Sequence, residues 1–267
     1  MPNWNKMDSW EMVLPPSRPT NEELNRIKKY ISSYDRNNPI AILGSTPEFR
    51  DLLYRMGFKK RFVFDKSVAF YRRMSRLLPE NTMNDEQLII GDWLKTLKKY
   101  TSFFKAILSD FTMWNIQYEK RYDFFKSISD ALIEGGTFID KVLVFDFKAP
   151  SLEKIFLKYE ELPINLRTIN DFSSEVLFCS ELIADMKKVD STILYKIIDN
   201  GEYSDKIKFF SKAAKIITPE GFVWYYGIPW SELSDVYYSF FSEREIYTNE
   251  DQLSPYYKRT KQYFNKK

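Results

Sequence analysis

Apolar positions along the chain follow two rhythms that take turns. Short, nearly unbroken apolar runs at 40–43, 61–64, 86–90, 104–108 and 137–145 have the length and the β-branched or aromatic content of buried strands. Between them, at 48–56, 68–78 and 118–133, apolar residues recur three and four apart. That spacing draws one apolar stripe along a helix. A further short helix or turn fits 96–104. Gly57 and Pro79 stop the first two helices, and Gly135-Gly136 the third. Strands alternating with helices predict an α/β fold with a doubly wound, mostly parallel sheet.

The pattern changes near residue 146. Residues 146–218 read as helices at 152–159, 170–186, 191–198 and 204–217, with no strand partner. A helical insertion riding on a sheet suits a substrate cover. Strand chemistry returns in the aromatic run 221–226, followed by a helix at 231–241. Two runs at 244–248 and 258–264 fit an antiparallel edge hairpin. Ahead of the first strand, Pro15-Pro16-Ser17-Arg18-Pro19 is extended or turning, because prolines restrict themselves and their predecessors. Thr20 and Glu23 form a capping box for a helix that carries Leu24, Ile27 and Ile31 to about Tyr34. The expected division is an N-terminal lead and helix (1–38), an α/β core (39–145), a helical cover (146–218) and terminal strands that complete the sheet (219–267).

Composition narrows the chemistry. The chain has 267 residues, no histidine and one cysteine, Cys179. Histidine-based triads and metal sites are excluded, as are an internal disulfide and a cysteine-based zinc site. No metal is expected. The net charge of +3 comes from 40 basic and 37 acidic residues, scattered rather than gathered into the dense basic face of a nucleic-acid binder. No apolar run approaches the roughly 20 residues that span a bilayer. The polar N-terminal residues carry no apolar signal-peptide core. A soluble, cytoplasmic protein without membrane or nucleic-acid partners is expected, as a monomer or a homodimer.

Candidate chemistry collects where the strands end. The first strand runs into Gly44-Ser45-Thr46-Pro47 and then a helix, so free N–H groups of a helix N-terminus lie beside a strand end. Gly44 permits close backbone approach there. Asp65 ends the second strand about 20 residues on, within reach of ribose hydroxyls, and Lys66 follows it. Asp92-Trp93 follow the third strand and Asp110 the fourth. Each acid also has a plain alternative, as a helix cap or a strand-end carboxylate. Arg18 could pair bidentately with a carboxylate or serve a surface ion pair. Trp10 could cover a ligand or pack in the core. Phe111, Trp114, Tyr118, Trp224 and Tyr226 could line an apolar or aromatic substrate pocket or belong to the core.

With these pieces in order, the chain resembles the class I S-adenosylmethionine-dependent methyltransferases, whose sheet is Rossmann-like and seven-stranded. The resemblance covers roughly 39–145, with the terminal strands near 221–264. It matches Leu43-Gly44-Ser45-Thr46-Pro47-Glu48 to the first motif, under the methionine part of the cofactor. Asp65 falls on the ribose-binding acid and Asp92 on the acid that meets the adenine amine. Ser109-Asp110-Phe111-Thr112 falls on the motif beside the methyl group, and Gly135-Gly136 on the glycines before the fifth strand. The first turn departs from the family by keeping one glycine where most members have two or three. The Trp and Pro-Pro-x-Arg-Pro-Thr lead resembles one bacterial branch.

The resemblance implies S-adenosylmethionine as cofactor and S-adenosylhomocysteine as product. The implied contacts are Gly44, Ser45, Thr46, Asp65, Lys66, Asp92, Trp93, Asp110, Arg18 and Trp10. Asp110 is the candidate beside the methyl group, and the acceptor is an O or N atom of an organic small molecule or a peptide. Displacement at a sulfonium asks mainly for alignment in a dry pocket, which suits a chain without histidine. A non-catalytic regulatory or scaffold module that keeps the nucleoside site is the alternative. An NAD-dependent oxidoreductase fits less well, because the first turn lacks G-x-G-x-x-G.

Overall fold

The computed structural model describes residues 10–144, 149–181, 188–225, 230–248 and 260–267. The strands are β1 (Ile40–Leu43), β2 (Arg61–Asp65), β3 (Glu86–Ile90), β4 (Phe104–Asp110), β5 (Leu132–Leu143), β6 (Lys188–Asp190), β7 (Val223–Tyr225), β8 (Glu243–Thr248) and β9 (Thr260–Lys266). The helices are α1 (Asn21–Tyr30), α2 (Pro47–Arg55), α3 (Val68–Ser75), α4 (Trp93–Thr96), α5 (Arg121–Ala131), α6 (Leu152–Glu161), α7 (Leu166–Cys179), α8 (Ser191–Asn200), α9 (Asp205–Ile217) and α10 (Trp230–Phe240).

Seven strands make one sheet in the order β3-β2-β1-β4-β5-β9-β8. β1 to β5 are parallel, and β9 runs antiparallel to both neighbours. Every residue of β1 and β2 is buried, as expected for strands covered on both faces. One apolar cluster fills each face: Phe62, Phe64, Phe104, Phe124, Phe125 and Phe138 lie in one, and Ile40, Ile42, Phe49, Leu53 and Val63 in the other. The strand order reverses between β1 and β4. That switch point opens a crevice at the carboxyl ends of the strands, where ligands of such sheets bind. The register lines up Leu43 with Phe64 and Ser109, so the residues just beyond them meet at one end of the sheet.

A third apolar cluster lies over that end. It joins Trp10 and Val13 of the lead to Phe70, Met74, Phe111 and Trp114 of the α/β core and to α6, α7, α8 and α9. The lead is tied down by Asn170 of α7, which accepts from Leu14 N at 2.9 Å and donates to Met12 O at 3.0 Å. The Thr20–Glu23 capping box forms, with Thr20 Oγ1 accepting from Glu23 N at 3.0 Å and Glu23 Oε2 from Thr20 N at 2.7 Å.

Several expectations need correction. α1 ends at Tyr30, not near Tyr34, because turns follow. α5 occupies Arg121–Ala131, and Gly135-Gly136 lie inside β5 rather than at a helix stop. Gly135 takes φ +63° there, and the β4–β5 register shifts between Phe104 and Ala106. α7 begins at Leu166, four residues early, because Asn165 caps it by accepting from Thr168 N. The helical stretch contains a strand after all: β6 pairs antiparallel with β7 in a separate two-stranded sheet. The aromatic run at 221–226 therefore does not complete the main sheet. β8 and β9 pair as expected, yet β9 is interior, held by β5 on its other side.

Candidate functional site

The β1–α2 turn depends on Gly44, at φ +91°. A Cβ there would meet nothing within 4 Å, so glycine is required for backbone conformation rather than for space. Gly44 N donates to Phe64 O at 2.8 Å, which moors the turn to β2. Ser45 Oγ then donates to Asp65 Oδ2 at 2.5 Å. Ser67 N donates to Asp65 Oδ1 at 2.8 Å. Asp65 is buried, and burial holds its carboxyl above the ordinary aspartate range despite the bonds from Ser45 and Ser67. Pro47 opens α2, a position where its missing N–H removes no helical bond.

A second buried acid stands at the end of β4. Asp110 faces Lys141 of β5 across the register, with 2.7 Å between Oδ1 and Nζ. Lys141 Nζ also reaches Pro16 O at 2.9 Å and Glu23 Oε2 at 3.5 Å. Burial pushes Asp110 up to about 7, and the Lys141 ammonium opposes it. Burial works against the charge on Lys141, but Asp110 and Glu23 together raise its pKa, so the ammonium persists. The group carries two acids and one base and links the lead, α1, β4 and β5.

Phe111, the next residue, adopts φ +52°, unusual for an aromatic side chain. It sits at the start of a short 3-10 turn, Thr112–Asn115. Its ring stacks on Trp114 at 4.5 Å, and Lys141 Nζ lies 4.7 Å from its centroid. Strain of this kind persists where the surroundings fix it, commonly beside a ligand site.

A cavity of about 250 Å³ occupies the crevice. One wall comes from the strand ends: Leu43, Thr46, Asp65, Lys66, Trp93 and Asp110. The opposite wall comes from α7, the end of α9 and β7, through Ser173, Ser174, Phe178, Ile217, Thr218 and Trp224. Trp10, Val13 and Ser17 of the lead close a third side.

The cavity brings together Trp10, Thr46, Asp65, Lys66, Trp93, Asp110, Phe111, Trp114 and Trp224 among the residues singled out from sequence. Gly44 and Ser45 shape the turn behind Asp65. Asp92 is not in the lining; it pairs with Lys66 at 2.9 Å and caps α4 by accepting from Leu94 N at 3.1 Å. The Lys66 ammonium holds the Asp92 carboxyl below the usual range against the opposing effect of partial burial. Trp93 donates its indole N–H to Phe64 O at 2.9 Å. Arg18 is not in the lining either, and its guanidinium is bound to Glu48, at 2.7 Å from Nε. Trp10 Nε1 donates to the same Glu48 oxygen at 3.3 Å. Tyr118 lies on the surface, hydrogen-bonded to Glu232 and 5.4 Å from the Arg121 guanidinium. Tyr226 falls outside the described residues. Sequence reasoning missed Ser173, Ser174, Phe178 and Thr218, which look like ordinary helix-face and helix-end residues, and Asn115, which follows a tryptophan in an irregular turn.

The chain matches no known protein family by sequence, and no curated protein matches it. Solved structures do match. A Rhodobacter sphaeroides protein described provisionally as a Zn-dependent alcohol dehydrogenase is 12% identical, with 98% of each chain covered and a TM-score of 0.55. The PH0226 protein of Pyrococcus horikoshii is 13% identical over 97% of this chain and 99% of its own, with a TM-score of 0.53. A SAM-dependent methyltransferase from Archaeoglobus fulgidus is 10% identical over 91% and 92%, with a TM-score of 0.42. One antiparallel strand, β9, set next to the edge of an otherwise parallel sheet decides the architecture. The fold is a seven-stranded, Rossmann-like α/β sheet with one antiparallel strand, shared with the Rhodobacter and Pyrococcus structures. At these identities the likeness concerns the fold alone. The chain lacks histidine, its one cysteine is buried, and the described residues hold no group of three or more His, Cys, Asp or Glu side chains placed to hold a metal ion. No helix among the described residues is long and apolar enough to cross a membrane.

Proposed function

We propose that the protein is a methyltransferase that uses S-adenosylmethionine and methylates an O or N atom of a small organic molecule. The observation that carries this reading is the buried Asp65 carboxylate, which lines the cavity at the end of β2 beside the Gly44 turn. A carboxylate offers about four acceptor positions, so bonds from Ser45 and from the Ser67 and Lys66 backbones leave capacity for a ribose hydroxyl. The cofactor fits this chain on a second count. Glu48 Oε2, in the first turn of α2, is buried and has no partner. That oxygen offers an acceptor for an amino acid's ammonium, two residues on from the lining residue Thr46.

In this reading Asp65 holds the ribose, Thr46 and the N-terminus of α2 face the amino-acid end, and Trp93 and Lys66 border the base. When bound, the cofactor supplies a methyl whose bond to sulfur breaks, with the electron pair kept by sulfur, as the bond to the acceptor atom forms. The chain's own residues align the acceptor and exclude water. The N-terminal lead and helices α6 to α9 act as the cover. Asp110 can take the acceptor's proton, since burial brings it near 7, where a base works best at neutral pH.

Calorimetric titration with S-adenosylmethionine and S-adenosylhomocysteine tests the reading. Micromolar binding that falls at least about a hundredfold in Asp65→Ala is expected, about 2.7 kcal/mol for a lost charged hydrogen-bond set. Wild-type protein that binds neither compound, with or without acceptor, would sink it in favour of a scaffold role.

A further inference from the structure

One half of the cavity has a chemistry that the cofactor does not account for. Phe111, Trp114, Phe178, Trp224 and Phe222 form an unbroken row of rings, with successive centroids 4.5, 4.6, 5.0 and 5.4 Å apart. The first two pairs are stacked, at 26° and 27° between planes. All five residues line the cavity. The row spans three separate pieces of chain: the β4–α5 connection, α7 and β7. With faces stacked on one another, the rings turn edges to the cavity, and aromatic edges meet another flat ring favourably at little entropic cost.

Asn115 lines the same cavity, and its Oδ1 is buried without a hydrogen-bond donor in the protein. A buried acceptor without a donor is costly, and native structures rarely leave one without a reason. Charge narrows the ligand further. Lys66 is the basic residue in the described lining, and Asp92 pairs with it. The Lys141 ammonium lies buried against Asp110 and Glu23. With Asp65 and Asp110 on the opposite wall, a carboxylate or phosphate would enter a cavity whose nearest cations are already matched.

We propose that this half of the cavity binds a neutral, planar aromatic molecule bearing a hydroxyl or N–H group, packed against the edges of the ring row and donating that hydrogen to Asn115 Oδ1. That this molecule is the methyl acceptor rests on the methyltransferase reading; that it binds does not. Phenolic and heteroaromatic N–H ligands share this chemistry, and the probes below separate them.

The experiment is equilibrium binding to the full chain, followed by quenching of the cavity tryptophans and by calorimetry. The probes are 2-naphthol, indole, naphthalene and 2-naphthoate. A preference for 2-naphthol or indole over naphthalene of about tenfold is expected, the worth of one neutral hydrogen bond to a buried acceptor. Whichever donor shows the larger preference identifies the hydroxyl or the N–H class. 2-Naphthoate is expected to bind most weakly. Asn115→Leu, close in volume, abolishes the preference, and Asn115→Asp, which keeps an acceptor oxygen, retains it. Equal binding of naphthalene and both donors to the wild type overturns the proposal without any variant, as does a preference that survives in folded Asn115→Leu. Binding of S-adenosylhomocysteine without the donor preference defeats this inference and leaves the cofactor reading standing. The donor preference without S-adenosylhomocysteine binding does the reverse.

Discussion

Across one cavity, the strand-end wall and the helical wall are held in different ways. On the strand side, Asp65 is fixed by Ser45 and Ser67, and Asp110 by Lys141, so side-chain positions are set by charge and hydrogen bonds among buried groups. On the helical side, Phe178, Trp224 and Phe222 are fixed by ring against ring, with Ser173 and Thr218 hydrogen-bonded at 3.3 Å in the same wall. Buried charge tolerates no missing partner, whereas aromatic packing can be trimmed and partly refilled. On the proposed function, the strand wall would meet the cofactor and the helical wall the acceptor.

Breaking the strand wall should have the largest effect. Lys141→Met strands Asp110 and Glu23 together in the interior and should reduce stability by about 3–5 kcal/mol. Denaturant unfolding would measure it, and a loss under about 1 kcal/mol would mean that the ammonium is not the keystone of that wall. On the helical side, Phe178→Ala removes a ring between two others and should lower stability by about 3 kcal/mol, with the cofactor titration unchanged within threefold. A large fall in cofactor affinity would show that the two walls are not independent.

The next effect is smaller and depends on pH. Asp140 of β5 is buried, accepts from Tyr237 Oη at 2.6 Å, and is pushed by burial up to about 7, with the Asp110 charge adding to the shift. Between the ordinary aspartate value near 3.9 and about 7, the folded chain binds a proton that the unfolded chain has released. The stability from that proton is therefore complete below about pH 4 and is lost as pH rises through about 7, at up to about 1.4 kcal/mol per pH unit. Asp140→Asn should flatten this part of the stability profile. A profile that stays parallel to the wild type would assign the slope to Asp110 instead.

The strand wall was legible from sequence because its signals are local. A short apolar run ending in Gly44, and others ending in Asp65 and Asp110, mark strand ends whatever the rest of the chain does, and the parallel order of β1 to β5 follows from their alternation with helices. The helical wall was not legible for a physical reason. Val223–Tyr225 has ordinary strand character, and nothing within it says that it pairs with the three residues of β6 rather than with the main sheet. That choice is made by contacts about 35 residues apart, which periodicity cannot register. The same holds for Arg18 and Asp92: their charges were visible, but Glu48 and Lys66, which occupy them, are partners only in three dimensions.

Ser45→Ala should produce the smallest change and the most discriminating one. The hydroxyl donates its one hydrogen to Asp65 Oδ2, so its loss should lower stability by about 1 kcal/mol. Two opposite outcomes for binding then separate the roles of Asp65. If the carboxylate works mainly as a brace for the turn, removing Ser45 loosens Gly44 to Pro47, and S-adenosylhomocysteine affinity falls along with stability. If it works mainly toward the cavity, Oδ2 gains a free acceptor position, Ser67 still holds Oδ1, and affinity stays within about threefold of wild type while Asp65→Ala loses it. We expect the second result, because Asp65 keeps one bond that does not involve the turn and lines the cavity with its remaining edge.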